Sequence, residues 1–309
     1  MDAQIVVVGS LNLDLVASVP RHPLPGETLS ATAMARHVGG KGANQAVAAA
    51  LAGGRVHMIG RHGTDGFETI LLDTLRGKGV DISGMKPSEG ESGVAFIFVA
   101  PDGQNSIVIV PGANGRLSAG DIRESRERIA GAKLILTQLE TPLASLQETL
   151  AIAAAAKVPL MLDPAPVQPL GPDLLRSVTW LTPNETEAAA LAGRAVPSDP
   201  AGLQAFAEGL LASGSKNVLL KLGDKGVYVA TADGVREQIQ PYKVSAIDTT
   251  AAGDAFNGAM AVALVEGADP VEAARFAAAA AALSVTRAGA IPSLASRAEI
   301  DEFSSKRFS

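Results

Sequence analysis

The alternation of strand and helix that decides the fold is clearest in the stretch Lys133-Leu134-Ile135-Leu136-Thr137-Gln138-Leu139-Glu140-Thr141-Pro142. Its first half is a short apolar run, typical of a strand buried in a parallel sheet, and its second half turns polar where the strand would end. A helical segment follows over residues 143–156, and the next apolar run is Leu160–Leu162. The same order recurs along residues 118–222. We therefore predict a three-layer α/β fold with a mostly parallel central sheet.

Polar residues recur at the ends of the predicted strands. They are Glu140, Asp163, Asn184, Glu187 and Asp224. Ligands of open α/β sheets bind outside the carboxyl ends of the strands, so this pattern predicts one functional edge. A TIM barrel is the competing architecture, but predicted hairpins early in the chain break its eightfold strand–helix count.

The early part of the chain predicts a second, smaller sheet. Its strands are drawn from residues of about 12–38 and 93–112, and the turn Pro101-Asp102-Gly103 joins the last two. We predict that this sheet forms a lid over the ends of the first strands, where closure would exclude water. Residues 1–309 are expected to form one domain that includes the lid.

The composition excludes several classes of protein. The chain has 309 residues, of which 47% are hydrophobic and 19% charged, an ordinary globular composition. Its net charge is -6 and it has no basic block, which argues against nucleic acid or an anionic membrane as a partner. Because there is no cysteine, disulfides and thiolate metal sites are excluded. The N-terminal apolar run is only a strand long, so we expect a soluble cytoplasmic protein.

A loop that becomes a helix carries the first candidate for catalysis. After the cap-type residues Asp248, Thr249 and Thr250 comes the small turn Ala251-Ala252-Gly253, and Asp254 follows. The free amides and the dipole of a helix start suit a phosphate or another developing anion. We expect the dipole to keep Asp254 ionised, so that it can accept a proton from an attacking hydroxyl. The simpler alternative is that Asp254 only caps the helix.

Two further stretches carry candidate binding residues. Asn12 and Asp14 alternate on one face just past the first strand, although an ordinary edge strand would show the same pattern. Gly39-Gly40-Lys41-Gly42-Ala43-Asn44 precedes an alanine-rich helix and fits neither the phosphate P-loop nor the dinucleotide fingerprint. Lys41 and Asn44 could instead bind a small polyhydroxyl ligand, or the glycines could simply allow a tight turn into the helix.

Three stretches together resemble the PfkB carbohydrate-kinase family. They are Gly39–Asn44, Thr182–Glu187 and Asp248–Gly258, and further matching stretches between Gly9 and Pro292 extend the resemblance from end to end. The resemblance is strongest to those members that phosphorylate ribose. It implies the Rossmann-like αβα fold of the family with a small β-sheet lid.

The resemblance also implies an activity, the ATP-dependent phosphorylation of D-ribose at O5. Asp254 would be the general base, and the amides of Ala251, Ala252 and Gly253 would form the anion hole. The positions that match the sugar contacts of the family are Asn12, Asp14, Gly39, Gly40, Lys41, Asn44, Glu140 and Asp254.

Nucleotide and cation contacts follow from the same resemblance. The matching ATP contacts are Asn184, Lys221, Leu222, Gly223, Asp224, Lys225, Gly226, Gly253 and Ala278, and Asn184 and Glu187 would organise Mg²⁺ and the phosphates. A monovalent cation, K⁺, would be held by Asp248, Thr250, Ser284, Arg287, Gly289 and Ser293. The lid of the family also serves as a dimer contact, which implies a homodimer.

Three positions depart from the pattern of the ribose-phosphorylating members. Asp163 stands where Asn is usual, Lys221 where Thr is frequent, and Ala278 where some members have His. Lys221 and Ala278 are expected ATP contacts, so these two differences do not affect the assignment of ribose as the substrate. Asp163 places a negative charge near the expected path of the phosphate.

Other functions remain to be weighed against this one. A kinase of the same family for 2-deoxyribose, fructose or a nucleoside is the nearest alternative, although Asn12 and Asp14 favour a fully hydroxylated furanose. Only 4% of the residues are aromatic, which disfavours a site for a nucleoside base. A sugar-binding protein without catalysis conflicts with the Gly253-Asp254 pair, and an oxidoreductase conflicts with the missing dinucleotide fingerprint.

Overall fold

The computed structural model describes residues 4–102 and 104–305. The strands of the described residues are β1 (Ile5–Val8), β2 (Asn12–Ser18), β3 (Ala33–Gly39), β4 (Val56–His62), β5 (Asp81–Pro87), β6 (Gly93–Val99), β7 (Asn105–Val110), β8 (Leu134–Thr137), β9 (Leu160–Leu162), β10 (Trp180–Leu181), β11 (Asn217–Lys221), β12 (Val227–Thr231) and β13 (Arg236–Ile239). The helices are α1 (Lys41–Leu51), α2 (Glu68–Gly77), α3 (Ala119–Glu124), α4 (Arg126–Ala130), α5 (Leu143–Ala156), α6 (Pro172–Arg176), α7 (Glu185–Ala192), α8 (Pro200–Ala212), α9 (Ala252–Glu266), α10 (Pro270–Ser284) and α11 (Arg297–Ser305).

The central sheet has the strand order β13-β12-β11-β10-β9-β8-β1-β4-β5. The pairs from β11 to β5 are parallel, and β12 and β13 extend one edge as antiparallel strands. The inner strand β1, which lies between β8 and β4, is fully buried, as expected for a parallel strand covered on both faces. The predicted α/β fold with a mostly parallel sheet is confirmed.

Two apolar layers cover the faces of this sheet. Ile5 and Val7 of β1 pack into the cluster formed with α1, α9 and α10, while Val6 and Val8 pack into the cluster on the opposite face with α3 and α5. The first layer is rich in alanine, and Gly258 of α9 lies directly against α1. Small side chains therefore let α1 and α9 approach closely, which brings the first turns of both helices to one edge of the sheet.

The small sheet has the strand order β3-β2-β6-β7. β2 follows β1 after only Gly9-Ser10-Leu11, so it starts at the carboxyl edge of the central sheet. β6 and β7 form the predicted hairpin, although Gly103 of its predicted turn lies outside the described residues. The prediction of a second, smaller sheet in the early part of the chain is confirmed.

None of the helices in the described ranges is both long and apolar enough to cross a membrane.

Candidate active site

Asp254 is the third residue of α9. The helix starts at Ala252, and the residue before it, Ala251, has a left-handed backbone with φ of 60°. Within the described part of the chain no side chain caps α9, so the expected capping by Asp248, Thr249 or Thr250 is wrong. Asp248 instead accepts from the Thr250 amide. The Ala252 amide donates a long bond of 3.3 Å to the Thr249 carbonyl, which an incoming anion would have to replace.

The Asp254 carboxylate is held by two amide side chains of α1. Asn44 Nδ2 donates to Oδ2 at 3.0 Å, and Gln45 Nε2 donates to Oδ1 at 3.0 Å. Both contacts join residues more than 200 positions apart in the chain, and Asp254 is only 5% exposed. A carboxylate that only capped its own helix would not need these partners, so the capping alternative is disfavoured.

The pKa of Asp254 is higher than the sequence-based expectation. The net pKa of this carboxyl is raised to about 6, with burial as the main cause and the charge of Asp163 as a further one, while Lys41 and the bonds from Asn44 and Gln45 oppose the rise. Desolvation, the largest cause of this shift, disfavours the charged form, so the expected net stabilisation of the carboxylate is wrong in direction. Near neutral pH the group is still largely ionised, and a base with a pKa near the working pH is efficient.

The residues predicted to bind the sugar surround the start of α1. Gly40 has φ of 88° and precedes the helix, and the Lys41 amide donates to Glu140 Oε2 at 3.0 Å. Asn12 pairs with Gly39 across β2 and β3, and a Cβ on Gly39 would overlap the Asp14 carboxylate. Glycine at position 39 therefore leaves room for Asp14 beside the backbone.

Three carboxylates, those of Asp14, Glu140 and Asp254, lie among the residues predicted to bind the sugar. The pKa of Asp14 is raised to about 7, mainly by burial and in addition by the charges of Glu140 and Asp254. For Lys41, burial lowers the pKa, but Asp254, Asp163 and Glu140 outweigh it, and the net direction is upward. The structure thus brings Asn12, Asp14, Gly39, Gly40, Lys41, Asn44, Glu140 and Asp254 together as a polar cluster of acceptors and donors suited to vicinal hydroxyls.

Replacement of Asp14 by Asn is expected to stabilise the protein at alkaline pH. Since the folded-state pKa is about 7 and the ordinary value is 3.8, the folded protein keeps a proton that the unfolded chain has lost. Stability conferred by this proton is complete below pH 3.8 and is lost as pH rises through about 7. We expect Asp14→Asn to raise the free energy of unfolding by about 2–4 kcal/mol at pH 8 and by little at pH 4. Denaturant unfolding at both pH values would measure this, and an equal change at the two would contradict it.

A cavity of about 690 Å³ extends from Lys41 and Asp254 toward α10. The predicted nucleotide and phosphate residues that line it are Asn184, Glu187, Lys221, Gly223, Asp224, Gly226, Gly253 and Ala278. Leu222 is instead buried in the core, and Lys225 forms an ion pair with Glu185. The cavity has the size of a small-molecule site, and its lining includes Ala251 and Ala252 of the anion turn.

Asn184 and Glu187 hold each other at the start of α7. The Asn184 amide donates to Glu187 Oε2 at 2.8 Å, and the Glu187 amide donates to Asn184 Oδ1 at 2.8 Å, which is a capping box. Glu187 lies at the cavity wall, and its other carboxylate oxygen, Oε1, accepts from Asn184 Nδ2 at 2.9 Å. Mg²⁺ prefers one or two carboxylates together with phosphate oxygens, so this residue fits the predicted role. The described residues contain no group of three or more His, Cys, Asp or Glu that could hold a metal alone.

Two loops bring the predicted cation residues together. Asp248 Oδ2 accepts from the Gly289 amide at 2.8 Å, and the Ile247 amide donates to the Val285 carbonyl at 2.7 Å. The Ser284 and Ser293 hydroxyls donate to carbonyls of their own turns, and the Arg287 guanidinium pairs with Glu299. A hydroxyl oxygen that donates its proton keeps its lone pairs, so the two serine hydroxyls and the backbone oxygens of these loops could both serve as ligands for a cation.

Gln45 is a site residue that the sequence analysis missed. Its amide nitrogen bridges Asp163 Oδ2 and Asp254 Oδ1, both at 3.0 Å, and its oxygen accepts from Gln138 at 2.7 Å. Lys41, Asn44 and Gln45 are spaced i, i+3 and i+4 on α1, so helical periodicity alone would have placed all three on one face.

The chain is similar to proteins of known function over nearly its whole length. Residues 2–297 match the pfkB family carbohydrate kinase. The ribokinase of Haemophilus influenzae is 42% identical over 304 residues, which cover 98% of this chain and 99% of the relative. The deoxyribokinase of Salmonella typhi is 35% identical over 97% of this chain and 98% of its own length. The structure of Arabidopsis thaliana ribokinase complexed with ribose and ATP superposes with a TM-score of 0.90 at 35% identity, covering 98% of this chain and 99% of that one. The chain belongs to the pfkB family of carbohydrate kinases.

Proposed function

We propose that this chain transfers the γ-phosphoryl group of ATP to O5 of D-ribose, giving D-ribose 5-phosphate and ADP. The observation that carries the proposal is the position of Asp254. Its carboxylate touches Asn44 of the polar cluster and also lines the cavity that leads to Ala278. A group at this junction can contact both an acceptor hydroxyl and a terminal phosphate.

The residues have distinct roles in the proposed transfer. Asp254 accepts the proton of O5 as this oxygen attacks the γ-phosphorus, and ADP departs on the opposite side. The first amides of α9, at Ala252 and Gly253, together with Ala251, stabilise the charge on the transferring group. Asn12, Asp14 and Glu140 fix the sugar so that O5 faces the phosphate, which removes much of the entropic cost of the reaction.

The proposed substrate is ribose because the sugar cluster is lined by carboxylates and amides. Buried polar groups of this kind reject an analogue that lacks a hydroxyl, because one partner is left unpaired. Kinases of 2-deoxyribose are the main alternative, since a deoxyribokinase is also among the similar proteins. A hydroxyl-deficient sugar would leave Asp14 or Glu140 with an unmatched acceptor in that cluster.

A coupled assay of ADP release tests the proposed function. It would use Mg²⁺, ATP and K⁺ with ribose, 2-deoxyribose, fructose and adenosine as separate acceptors. We expect kcat/KM for ribose to exceed that for each of the others by at least about tenfold. If 2-deoxyribose or fructose were preferred, that sugar would replace ribose as the assigned substrate. If the folded protein turned over none of the acceptors, a sugar-binding protein without catalysis would be favoured.

We also propose two cations. Mg²⁺ would accompany ATP beside Glu187 and Asn184, and when bound it neutralises phosphate charge. K⁺ would bind backbone oxygens between the Asp248 loop and the Gly289 loop. Because these loops adjoin Ala251, cation binding is expected to shape the anion turn and raise kcat.

The K⁺ proposal has a direct test. At equal ionic strength and saturating ribose and Mg-ATP, we expect kcat in KCl to exceed kcat in tetramethylammonium chloride several-fold. The large organic cation cannot enter a site of carbonyl oxygens, while it screens surface charge equally. Equal rates in the two salts would remove the cation site from the account.

The small sheet is proposed as both lid and dimer contact. Its outer strands expose Met34, Ile107, Val108 and Ile109, which are between 44% and 61% exposed. An apolar edge of this kind would be covered by the same sheet of a second copy, since sheets do not usually leave such edges open. The single-domain organisation and the cytoplasmic location stay predictions from the sequence.

A further inference from the structure

Asp163 and Lys221, two of the residues that differ from the usual pattern of the family, form an ion pair in the structure. Lys221 Nζ lies 3.0 Å from Asp163 Oδ1, and the side chains are 13% and 3% exposed. Lys221 ends β11, and Asp163 directly follows β9, so the pair spans the carboxyl edge of the sheet. The negative charge that Asp163 adds near the phosphate path therefore has a partner in place.

Asp163 is held on both of its oxygens. Oδ1 accepts from Lys221, and Oδ2 accepts from Gln45 at 3.0 Å. A carboxylate fixed in this way has little freedom to turn. It can therefore hold the lysine ammonium in a defined direction.

The ammonium of Lys221 lies over the first turn of α9. A Cβ built on Gly253 would be 3.2 Å from Nζ, so the ammonium is beside the turn whose amides face the cavity. Lys221 and Gly253 both line that cavity. An ammonium carries three protons, and the described residues account for one of them, the bond to Asp163. Two donors therefore remain for a ligand at this turn.

We propose that Lys221 is a catalytic residue that donates to the γ-phosphate of ATP and to the transferring phosphoryl group, and that Asp163 is a positioning residue that aims the Lys221 ammonium. This inference rests on the proposed kinase function. In the step, the O5–P bond forms and the O5 proton passes to Asp254. The bond between P and the bridging oxygen breaks, and its electron pair leaves with ADP. Lys221 keeps its protons throughout and stabilises the charge of the three equatorial oxygens.

The alternative is that the pair only ties β9 to β11. The two roles differ in what they predict for nucleotides, because a residue that contacts only the γ-phosphate distinguishes ATP from ADP. A purely structural pair, when broken, would weaken the binding of both nucleotides together and lower the unfolding temperature.

The test compares the binding of ADP and of the Mg²⁺-bound β,γ-imido analogue of ATP by calorimetry, with kcat measured in parallel. For Lys221→Gln we expect the preference for the analogue over ADP to fall about tenfold and kcat to fall about 100-fold. Lys86→Gln is the matched control, since Lys86 is also ion-paired, with Asp121 at 3.2 Å, but lies outside the site. Its preference for the analogue should equal that of the wild type.

The positioning role of Asp163 is tested by combining variants. Asp163→Asn should reduce the same preference by a smaller factor, and Asp163→Asn with Lys221→Gln should match Lys221→Gln alone, because Asp163 acts through Lys221. The double variant leaves no buried charge unpaired, so it carries the test if Lys221→Gln does not fold. If every folded Lys221 variant kept the wild-type preference for the analogue over ADP, the catalytic role would be overturned. If the double variant lost the product of the two single-variant factors, the positioning role of Asp163 would be overturned. A wild type that binds neither nucleotide would instead refute the proposed kinase function itself.

Discussion

Asp254→Asn is expected to lower kcat by about 10³-fold or more while ribose still binds within a few-fold of its wild-type affinity. General bases contribute factors of 10² to 10⁴, and an amide cannot take up the O5 proton. Asn has nearly the same shape as Asp, so the fold should persist. The measurement is kcat at saturating substrates, with ribose affinity from calorimetry and the unfolding temperature as a check of the fold.

Asp269→Asn is the matched control for this variant. Asp269 accepts from the amides of Val271 and Glu272 at the start of α10 and is exposed, so it is a plain helix cap. Asn caps helices as well as Asp does, and kcat should not change. If Asp254→Asn behaved like Asp269→Asn, Asp254 would be a cap and not the base.

The wild-type pH profile gives a second view of the same residue. Since burial raises the pKa of Asp254 to about 6, kcat/KM should fall as the pH is lowered through about 6, where the base becomes protonated. Lys41 and Asp163 face this carboxyl with opposite effects on its pKa, and Asn44 and Gln45 donate to it. An acid limb near pH 4 would mean that burial does not govern this group.

Gly258→Ala is expected to cost about 1–3 kcal/mol of folding free energy and at least tenfold in kcat. A Cβ at this position would lie 2.6 Å from the Ala48 Cβ and 2.7 Å from the Ala49 amide nitrogen. Since α1 offers backbone there, the two helices must move apart, and overpacking of this kind is destabilising. Gly258 is one turn beyond Asp254 on α9, so the shift would also displace Asp254 from Asn44 and Gln45, and small misplacements reduce catalysis strongly.

Gly209→Ala controls for the change from glycine to alanine itself. Gly209 lies on the exposed face of α8, and the nearest heavy atom to a Cβ there would be an Arg194 guanidinium nitrogen at 3.6 Å. This variant should gain about 0.5–1 kcal/mol from helix propensity, with kcat unchanged. Denaturant unfolding of both variants gives the comparison, and a Gly258→Ala protein as stable as Gly209→Ala would show that the helix contact is not tight.

The elements that sequence reasoning predicted are those with local signals. Strands β1 and β8 are apolar runs because both of their faces are covered. The polar residues that follow them lie at the carboxyl edge of the parallel sheet. Strand β5 was missed because it is an edge strand with a register shift opposite β4, and its residues Asp81–Pro87 are mostly half-buried or exposed. A partly exposed strand that contains Gly84 and ends in a proline lacks the apolar run that identified the others.

The parts of the site that sequence reasoning missed depend on contacts between distant residues. Lys221 and Asp163 are 58 positions apart, and neither gives a local sign of the other. The pKa of Asp254 could not be predicted because the dipole of its helix is visible in the sequence whereas its burial is not. By contrast, Asn44 and Lys41 were predicted as site residues, and the structure places both beside the Asp254 carboxyl.

The most direct test of the account is the identity of the product formed from ribose and Mg-ATP. Coupled ³¹P and ¹H NMR would locate the phosphate, since a phosphoester at O5 couples to the two protons on C5. The account predicts D-ribose 5-phosphate, formed in equal amount to ADP. A phosphate on another oxygen would contradict the proposed orientation of the sugar at Asp254, and inorganic phosphate with unchanged ribose would contradict the transfer itself.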